Sequence, residues 1–473
     1  MNKIFRNTLA IAMLGLCGTV SAQNLNSAYF LDGYAYGHYM NPAKDYDRSG
    51  YVAMPALGHV NVGLNGNLSL TDVLKFNNGG LTTYLNPNIA VKEALSGFSS
   101  TNHTNVNLRL DIVSFGFHAW GGYNTFNISA RTNVGFTAPY ELFEATKTLT
   151  NKDYDISGIG LNATAWAEIG FGHSRNVTDA WRVGGKFKIL LGGAHALVNV
   201  KNAHLNLTAP DKWVIEANAE ANISVKGFDW GEMETKNYND ESKGTYEQIN
   251  FDNVDVNGTG LNGWGLGLDL GAEWDLGEQG WLEGMKISAS LLDFGFISWN
   301  ETHRAYNKGE AVEFTGYNNI QVSDGPGESF DDQSDRYGDR FSDLIALQDG
   351  GVSSSAKMLG ATMNIGVEYE LPYYRKLKFG LLSTTRIQGK YSWNEERISA
   401  NVSPLKWLEG GINLGFGSLG TSFGWVANIH PRGFNFFVGM DHTMGKLSKQ
   451  GVPLKSSTSV TLGIVFPFGK SSL

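Results

Sequence analysis

The sequence of 473 residues is poor in cysteine, in proline and in long apolar runs. It contains one cysteine, Cys17, and 11 prolines, and charged residues make up only 18% of it. A single cysteine cannot form an internal disulfide, which excludes a disulfide-stapled fold. No run approaches the roughly 20 apolar residues that a membrane-spanning helix needs. Soluble domains and membrane-spanning strands therefore remain as the two possible architectures.

The first 22 residues are typical of a secretory signal peptide. Lys3 and Arg6 form a basic start, residues 9–16 are apolar, and cleavage is expected after Ala22, at a site of small residues. The mature chain, residues 23–473, would then have no cysteine. Losing two positive charges takes the formal net charge from −9 to −11. A chain this acidic argues against nucleic acid as a partner.

The sequence carries neither the H-E-x-x-H motif of zinc proteases nor the G-x-S-x-G motif of serine hydrolases, and its ten histidines are scattered. We therefore expect no catalytic residue, no cofactor and no metal site. One acidic stretch, residues 300–357, could attract Ca²⁺ through its carboxylates. It contains Asp324, Asp331, Asp332, Asp335, Asp339, Asp343 and Asp349. Because the ordered calcium-loop spacing is missing and Arg336 and Arg340 lie among the acids, a solvated loop is the favoured interpretation.

Glycine and aromatic residues are abundant, with 59 Gly, 12 Trp, 19 Tyr and 26 Phe. Several segments also alternate with a period of two, as strands with two different faces do. In residues 105–112, N-V-N-L-R-L-D-I, Leu108 and Leu110 face one way and Arg109 and Asp111 the other. Transmembrane strands have this pattern because only alternate residues meet lipid. Soluble all-β proteins share part of it.

The alternating segments predict an all-β fold, an antiparallel up-and-down transmembrane barrel of about fourteen strands over residues 58–468. Every predicted connection longer than a dozen residues falls on one side, as in bacterial barrels with short periplasmic turns. The longest external loops are 200–261 and 300–357, and both chain ends would be periplasmic, with 469–473 as a tail. A hairpin at 203–226 is better explained as an extension of the external rim than as two further spanning strands.

The last strand, residues 459–468, carries a more specific pattern than the others. Thr461, Gly463, Phe466 and Phe468 are spaced as T-x-G-x-x-F-x-F. This resembles the C-terminal signal that the barrel-assembly machinery reads on outer-membrane proteins, although such proteins usually end at the last aromatic residue. The resemblance implies an outer-membrane location, with the assembly machinery, membrane lipid and lipopolysaccharide as partners.

Residues 23–57 are too rich in aromatic side chains for a disordered tail. They are interpreted either as a periplasmic segment packed under the barrel or as a plug inside it. The segment contains Tyr34, Tyr36 and Tyr39 and the tripeptide Asn41-Pro42-Ala43. In these features the chain resembles the long-chain fatty-acid transporter family of outer-membrane barrels. That resemblance implies an N-terminal hatch, carrying Asn41, Pro42 and Ala43, that blocks a fourteen-stranded barrel.

Bacteroidota proteins related to this transporter family include a component of the type IX secretion system. Most of the mature chain also resembles an uncharacterised Bacteroidota branch of such barrels. The segments that carry this resemblance lie in the C-terminal half. The segments concerned are Lys390-Tyr391-Ser392-Trp393-Asn394-Glu395, Gly424-Trp425 and His430-Pro431-Arg432-Gly433-Phe434-Asn435. No substrate-contacting residue can be carried over from it, because no second motif matches.

Two function classes follow. The resemblance implies passive transport of a small hydrophobic molecule across the outer membrane. The alternative is a non-transport scaffold, or a partner in assembly or secretion, that binds through the long external loops. Charged residues of both signs are predicted to face the lumen, where they could line a path or hold a plug; pairing among themselves to close the interior is the favoured interpretation. They are Arg109, Asp111, Glu168, Arg182, Lys186, Asp269, Glu273, Glu368, Arg386, Arg397 and Glu409.

Overall fold

The computed structural model describes residues 24–68, 70–77, 80–86, 88–148, 152–209, 212–237, 242, 244–250, 254–277, 282–314, 347–418, 420–442 and 458–471. The predicted signal peptide, and all members of the acidic loop cluster except Asp349, lie outside these ranges. Within these ranges, no helix is long and apolar enough to cross a membrane.

Strands dominate the described chain. In chain order they are β1 (Arg48–Ala53), β2 (Val60–Gly66), β3 (Leu74–Asn77), β4 (Gly80–Thr83), β5 (Thr101–Ala119), β6 (Gly122–Pro139), β7 (Asp153–Asp155), β8 (Gly160–Asn176), β9 (Trp181–Ala209), β10 (Lys212–Val225), β11 (Phe228–Asp229), β12 (Met233–Asn237), β13 (Thr245–Ile249), β14 (Asp255–Val256), β15 (Gly263–Asp275), β16 (Met285–Phe314), β17 (Gln348–Met358), β18 (Ala361–Glu370), β19 (Leu377–Ile387), β20 (Trp393–Leu405), β21 (Leu408–Gly417), β22 (Gly420–Ile429), β23 (Asn435–Met440) and β24 (Thr458–Ser471). Three short helices are α1 (Leu70–Val73), α2 (Val91–Leu95) and α3 (Tyr140–Thr148).

The wall of the described molecule is a closed antiparallel barrel with fourteen strand positions. β1 and β2 share the first position, followed by β5, β6, β8, β9, β15, β16, β18 and then β19 to β24 in sequence. The ring closes because β24 pairs with both β1 and β2, which pair in turn with β5. The predicted fold class is confirmed.

Alternation along each strand separates the two faces of the wall. In β15, Leu266, Leu268 and Leu270 lie on the outer face and are 37%, 39% and 48% exposed, whereas Asp269 between them is 2% exposed and faces the lumen. The same arrangement, with apolar side chains outside and polar side chains inside, recurs around the ring. It is the reverse of the arrangement in a soluble protein. Such an outer surface suits contact with lipid chains rather than water.

Two strands rise far above the rest of the wall. β9 has 29 residues and β16 has 30, which at about 3.3 Å per residue gives lengths near 95 Å. β10 lies between their upper parts, beyond the end of β15, and pairs with both. The hairpin over 203–226 is therefore an extension of the rim. We call this end of the barrel the far rim, and the end where β1 begins and β24 finishes the near rim.

Residues 24–47 lie inside the barrel and fill its lumen; we call them the hatch. They form two 3-10 turns, Asn26–Ala28 and Gly37–Tyr39, and most of their side chains are buried. The expected hatch boundary at residue 57 moves to residue 47, because Arg48–Ala53 forms β1 and pairs with two wall strands. Likewise the expected tail 469–473 is partly strand, since Ser471 pairs with Arg48.

Candidate functional site

Tyr39 connects the hatch to the wall. Its hydroxyl donates to Oδ2 of Asp111 at 2.6 Å. The guanidinium of Arg109 lies 3.6 Å from the centre of its ring, and Nζ of Lys186 lies 4.3 Å from it. Burial, with the adjacent Asp111 carboxylate, raises the pKa of the Tyr39 hydroxyl well above its usual value, so the hydroxyl keeps its proton and donates. Two cations and a carboxylate thus hold one aromatic ring.

The Asn41-Pro42-Ala43 tripeptide rests against β9 and β15. The Asn41 side chain donates to the Ala272 carbonyl at 3.2 Å and accepts from the Ala43 backbone N–H at 2.9 Å, which closes an Asx turn. Gly184 and Gly271, paired across the two strands, provide the room. A Cβ on Gly271 would overlap the Asn41 side-chain oxygen, and one on Gly184 would overlap the Pro42 carbonyl. The tripeptide is a docking turn for the hatch.

Tyr34 and Tyr36 pack in the aromatic core of the hatch. The Tyr34 ring meets Phe437 of β23 edge-on at 4.9 Å. Tyr36 lies 5.2 Å from Tyr39 and 4.7 Å from His59. Both tyrosines are at most 2% exposed. These two residues of the predicted hatch therefore pack inside the plug, where neither is open to a ligand.

Polar contacts hold the remaining hatch backbone to wall strands. The Asp441 carboxylate accepts the Ser27 N–H at 2.6 Å, and Glu409 accepts the Gly33 N–H at 3.0 Å. The carbonyl of Met40 accepts from Ser290 at 2.7 Å and from Asn364 at 2.9 Å. The hatch is therefore bound at several heights in the lumen.

A buried ion network lies beside Tyr39, in the middle of the wall. Glu168, which is fully buried, is 3.1 Å from Arg109 and 2.7 Å from Arg131. Lys188 lies 2.6 Å from Asp269 and 2.7 Å from Asp293. Because these charges pair within the lumen, they contribute to closing it rather than to lining an open channel.

Asp293 has an unusual backbone. Its φ is 57°, in the left-handed region that costs most residues about 1–3 kcal/mol, although Asp and Asn tolerate it better than others. The pairing of β15 with β16 shifts register at this point, between Leu268 and Leu270. The bulge turns the Asp293 carboxylate inward, where it accepts two hydrogen bonds from Arg131, at 2.7 and 2.8 Å. The ion pair holds a strained residue in place.

The other predicted lumen charges lie nearer the rims and mostly contact the hatch. Arg182 donates to the Ala43 carbonyl at 2.7 Å. Glu273 lies 3.7 Å from Lys44 of the hatch, and Glu368 is 3.2 Å from Lys378, which also binds Asp32 of the hatch. These residues do not form one site. They hold the hatch to the wall at separate places. Arg397 pairs with Glu395, and Arg386 lies 3.7 Å from Asp293.

A cavity of about 150 Å³ lies on the far-rim side of the ion network, between β8, β9, β16 and β19. Trp166, His195 and Trp299 line it, with Arg386 and Lys357. The first three are 7%, 4% and 1% exposed. Within the described residues, both indole Nε1 atoms and the His195 Nε2 atom have no hydrogen-bond partner. The Trp166 ring lies 4.9 Å from the guanidinium of Arg131, which joins the cavity to the network below.

Sequence reasoning placed Arg386, Glu168 and Asp269 in the lumen, but it missed Arg131 and Asp293 of the ion network and the aromatic residues of the cavity. Arg131 shares its strand parity with Ser129 and Asn133, a signal that could have found it. Asp293 could not be assigned a face, because the bulge that turns it inward has no mark in the sequence. Trp166 shares the parity of Glu168, yet nothing brings it near Trp299 until the strands pair.

The residues of the predicted assembly signal divide between the two faces of β24. Thr461 is fully buried and accepts from Asn61 at 2.6 Å. Gly463 lies against Gly58 and Phe437. Phe466 and Phe468 are 48% and 47% exposed on the outer face. This arrangement leaves both aromatic rings free to meet lipid.

Among the described residues, no cluster of histidine, cysteine and carboxylate side chains is arranged to hold a metal. Residues 42–441 of the chain match a family described as "Family of unknown function (DUF5723)". The chain belongs to this family. No protein of curated function matches the sequence. The family assignment therefore brings no activity with it.

In overall structure the chain is similar to solved structures of toluene transporters and of a FadL homologue. The toluene transporter TodX of Pseudomonas putida has a TM-score of 0.43 and 8% identity, over 96% of this chain and 97% of that one. A FadL homologue of Pseudomonas aeruginosa has a TM-score of 0.36 and 8% identity, over 95% and 98%. The toluene transporter TbuX of Ralstonia pickettii has a TM-score of 0.30 and 10% identity, over 96% of both chains. Similarities of this extent do not decide a function.

Proposed function

We propose that this protein is an outer-membrane barrel through which a small hydrophobic molecule passes. The observation that carries the proposal is the aromatic cavity in the lumen, next to an ion network that contacts the hatch. Ligand sites combine apolar walls with placed polar groups. The lining of this cavity divides evenly between apolar residues or glycine, such as Trp166 and Ile297, and polar or charged residues, such as Arg386. The apolar outer face of the wall supports the membrane location, and the proposed partners there are lipid, lipopolysaccharide and the assembly machinery.

The hatch defines how passage would be controlled. With residues 24–47 bound to many wall strands, a continuous path requires some hatch contacts to break. The Asn41-Pro42-Ala43 turn and Tyr39 are the contacts nearest the ion network, so they are the elements whose release would open the lumen. The far rim would be external and the near rim periplasmic.

Uptake into proteoliposomes tests the proposal. The full mature chain would be reconstituted into lipid vesicles, and the entry of radiolabelled toluene, radiolabelled benzoate and a labelled long-chain fatty acid measured. Liposomes with a barrel of similar size but different family serve as the matched control. Protein-dependent uptake of at least one of the three molecules is expected, and uptake of all three no faster than in the control would overturn the proposal.

A scaffold function is the second candidate, because the far rim forms an ordered unit of its own. Val200, Ala217, Trp230 and Ile249 belong to a buried apolar cluster built from β9, β10 and the segments that follow. A platform of this kind could bind a secreted or surface protein. Co-purification of a defined partner, lost when residues 203–226 are deleted, together with no uptake, would favour this function over transport.

A further inference from the structure

We infer that the cavity between β8, β9, β16 and β19 binds a single-ring aromatic carboxylate. This inference names the cargo class of the proposed transporter and rests on that proposal. The binding itself can be measured without transport, so the two can fail separately.

The size and walls of the cavity select one flat ring. Its volume of about 150 Å³ matches that of an apolar cavity known to admit benzene. Trp166 and Trp299, with Ile297 and the partly buried Leu359, form a distinct apolar cluster at this place. Gly192 makes room for this arrangement, since a Cβ there would lie 2.7 Å from the Trp299 ring. A long acyl chain exceeds this volume.

The charge of the cavity agrees with an anion. Arg386 and Lys357 line it, and none of its lining residues is a carboxylate within the described chain. Arg386 is positioned by Thr362 at 3.0 Å and Gln388 at 3.3 Å, while its Nη2 atom donates to no described residue. Its nearest carboxylate, Asp293, is 3.7 Å away and is already bound by Arg131. A guanidinium with a free edge suits a planar carboxylate.

His195 extends the aromatic wall of the cavity. It stacks on Trp299, with ring centres 5.5 Å apart and planes 16° from parallel. Its Nδ1 lies 3.0 Å from the Thr164 hydroxyl and 3.1 Å from the Ala163 carbonyl, and these two contacts fix the orientation of the imidazole.

The test measures binding to the full mature chain in detergent micelles by calorimetry and by tryptophan fluorescence. The probes are benzoate, 4-hydroxybenzoate, toluene and octanoate. We expect benzoate and 4-hydroxybenzoate to bind more tightly than toluene and octanoate. Arg386→Gln should weaken benzoate about tenfold, the loss expected for one charged hydrogen bond, and toluene less than twofold.

Trp299→Ala removes one aromatic wall of the cavity, so it should weaken the binding of benzoate and of toluene alike. The matched control is Trp264→Ala, since Trp264 is on the outer face and 54% exposed. Lys357→Gln is a second charge variant should Arg386→Gln fail to fold. The inference would be overturned if toluene or octanoate bound more tightly than benzoate. It would also be overturned if the charge variant that folds bound benzoate as tightly as the wild type does. Benzoate binding without any uptake would instead remove the transport function and leave the site.

Discussion

The hydroxyl of Tyr39 donates to Asp111 of β5 across 2.6 Å, which makes one hydrogen bond the central link between hatch and wall. Asp111 in turn accepts from Ser129 at 2.7 Å and pairs with Arg109 at 3.3 Å. Arg109 continues through Glu168 to Arg131, beside the cavity. A chain of direct contacts therefore joins the hatch to the candidate ligand site.

Tyr39→Phe should loosen the hatch. The substitution keeps the ring under Arg109 and removes only a hydrogen bond to a carboxylate, a contact worth roughly 1.5–3 kcal/mol. Channel openings in planar lipid bilayers should become at least about tenfold more frequent. Tyr84→Phe is the control, because the Tyr84 hydroxyl bonds Thr146 in α3 and not the hatch. Equal opening rates in the two variants would contradict this role.

Two adjacent glycines test how the Asn41-Pro42-Ala43 turn docks. Gly184→Ala should displace the turn, because its Cβ would overlap the Pro42 carbonyl. At Gly185, whose nearest contact to a new Cβ is 3.7 Å, the same change should be tolerated. Limited proteolysis in detergent should cut within residues 24–47 only in the Gly184 variant. A hatch equally protected in both variants would show that the turn is not held there.

Asp293→Asn should destabilise the barrel strongly. Asparagine tolerates the same left-handed backbone, so the loss comes from the buried charge pairs of Asp293 with Arg131 and Lys188, and breaking a buried pair costs about 3–5 kcal/mol. Glu168 and Asp269 still pair with these two cations, which places the expected loss at the lower end of that range. Glu301→Gln provides the contrast, since its pair with Lys226 is 2.9 Å long but roughly half exposed and worth at most about 1 kcal/mol. Urea unfolding in lipid vesicles measures both. Similar losses in both would mean that burial does not decide the strength of these pairs.

His38 of the hatch should make the barrel less stable in mild acid. Burial, and then the positive charges of Lys186 and Arg109, hold its pKa well below the usual value near 6.5. The unfolded chain therefore takes up a proton below about pH 6.5 that the folded hatch does not, so stability falls as pH falls.

His38→Gln isolates this contribution from the other titrating groups. Between pH 8 and pH 5 the wild type should lose more free energy of unfolding than the variant does. Glutamine can still bond the Tyr51 hydroxyl, which lies 3.3 Å from Nε2 of His38. If the variant lost more free energy of unfolding on acidification than the wild type, His38 would stabilise the barrel in acid, the opposite of this prediction.

Phe468→Ala should lower the amount of folded protein that reaches the outer membrane. The expectation rests on the proposed assembly signal, and Phe468 is 47% exposed on the outer face. Phe416→Ala is matched to it, since Phe416 is also 47% exposed on that face but lies in β21. Heat-modifiable protein in membrane fractions measures the yield. Equal yields would show that Phe468 acts through lipid contact alone.

Some of the site follows from the sequence and some does not. Arg109, Asp111, Glu168 and Asp269 were placed in the lumen by parity alone, because a strand's side chains alternate strictly between its faces. The sequence did not show which of these charged residues pair with each other. The hatch was expected from its aromatic residues and the Asn41-Pro42-Ala43 motif, yet its end at residue 47 depended on β1 joining the wall.

The sequence by itself determined that this chain forms a fourteen-stranded barrel with an apolar exterior, because period two is a local property of each strand. Only the tertiary structure decided the cavity, which takes Trp166, Trp299 and Arg386 from strands far apart in the chain. Ring closure sets the register between such strands, and the bulge at Asp293 then reverses the facing of the residues after it. Because of that shift, Trp299 faces the lumen. Its ring then forms the aromatic wall of the cavity beside the ion network.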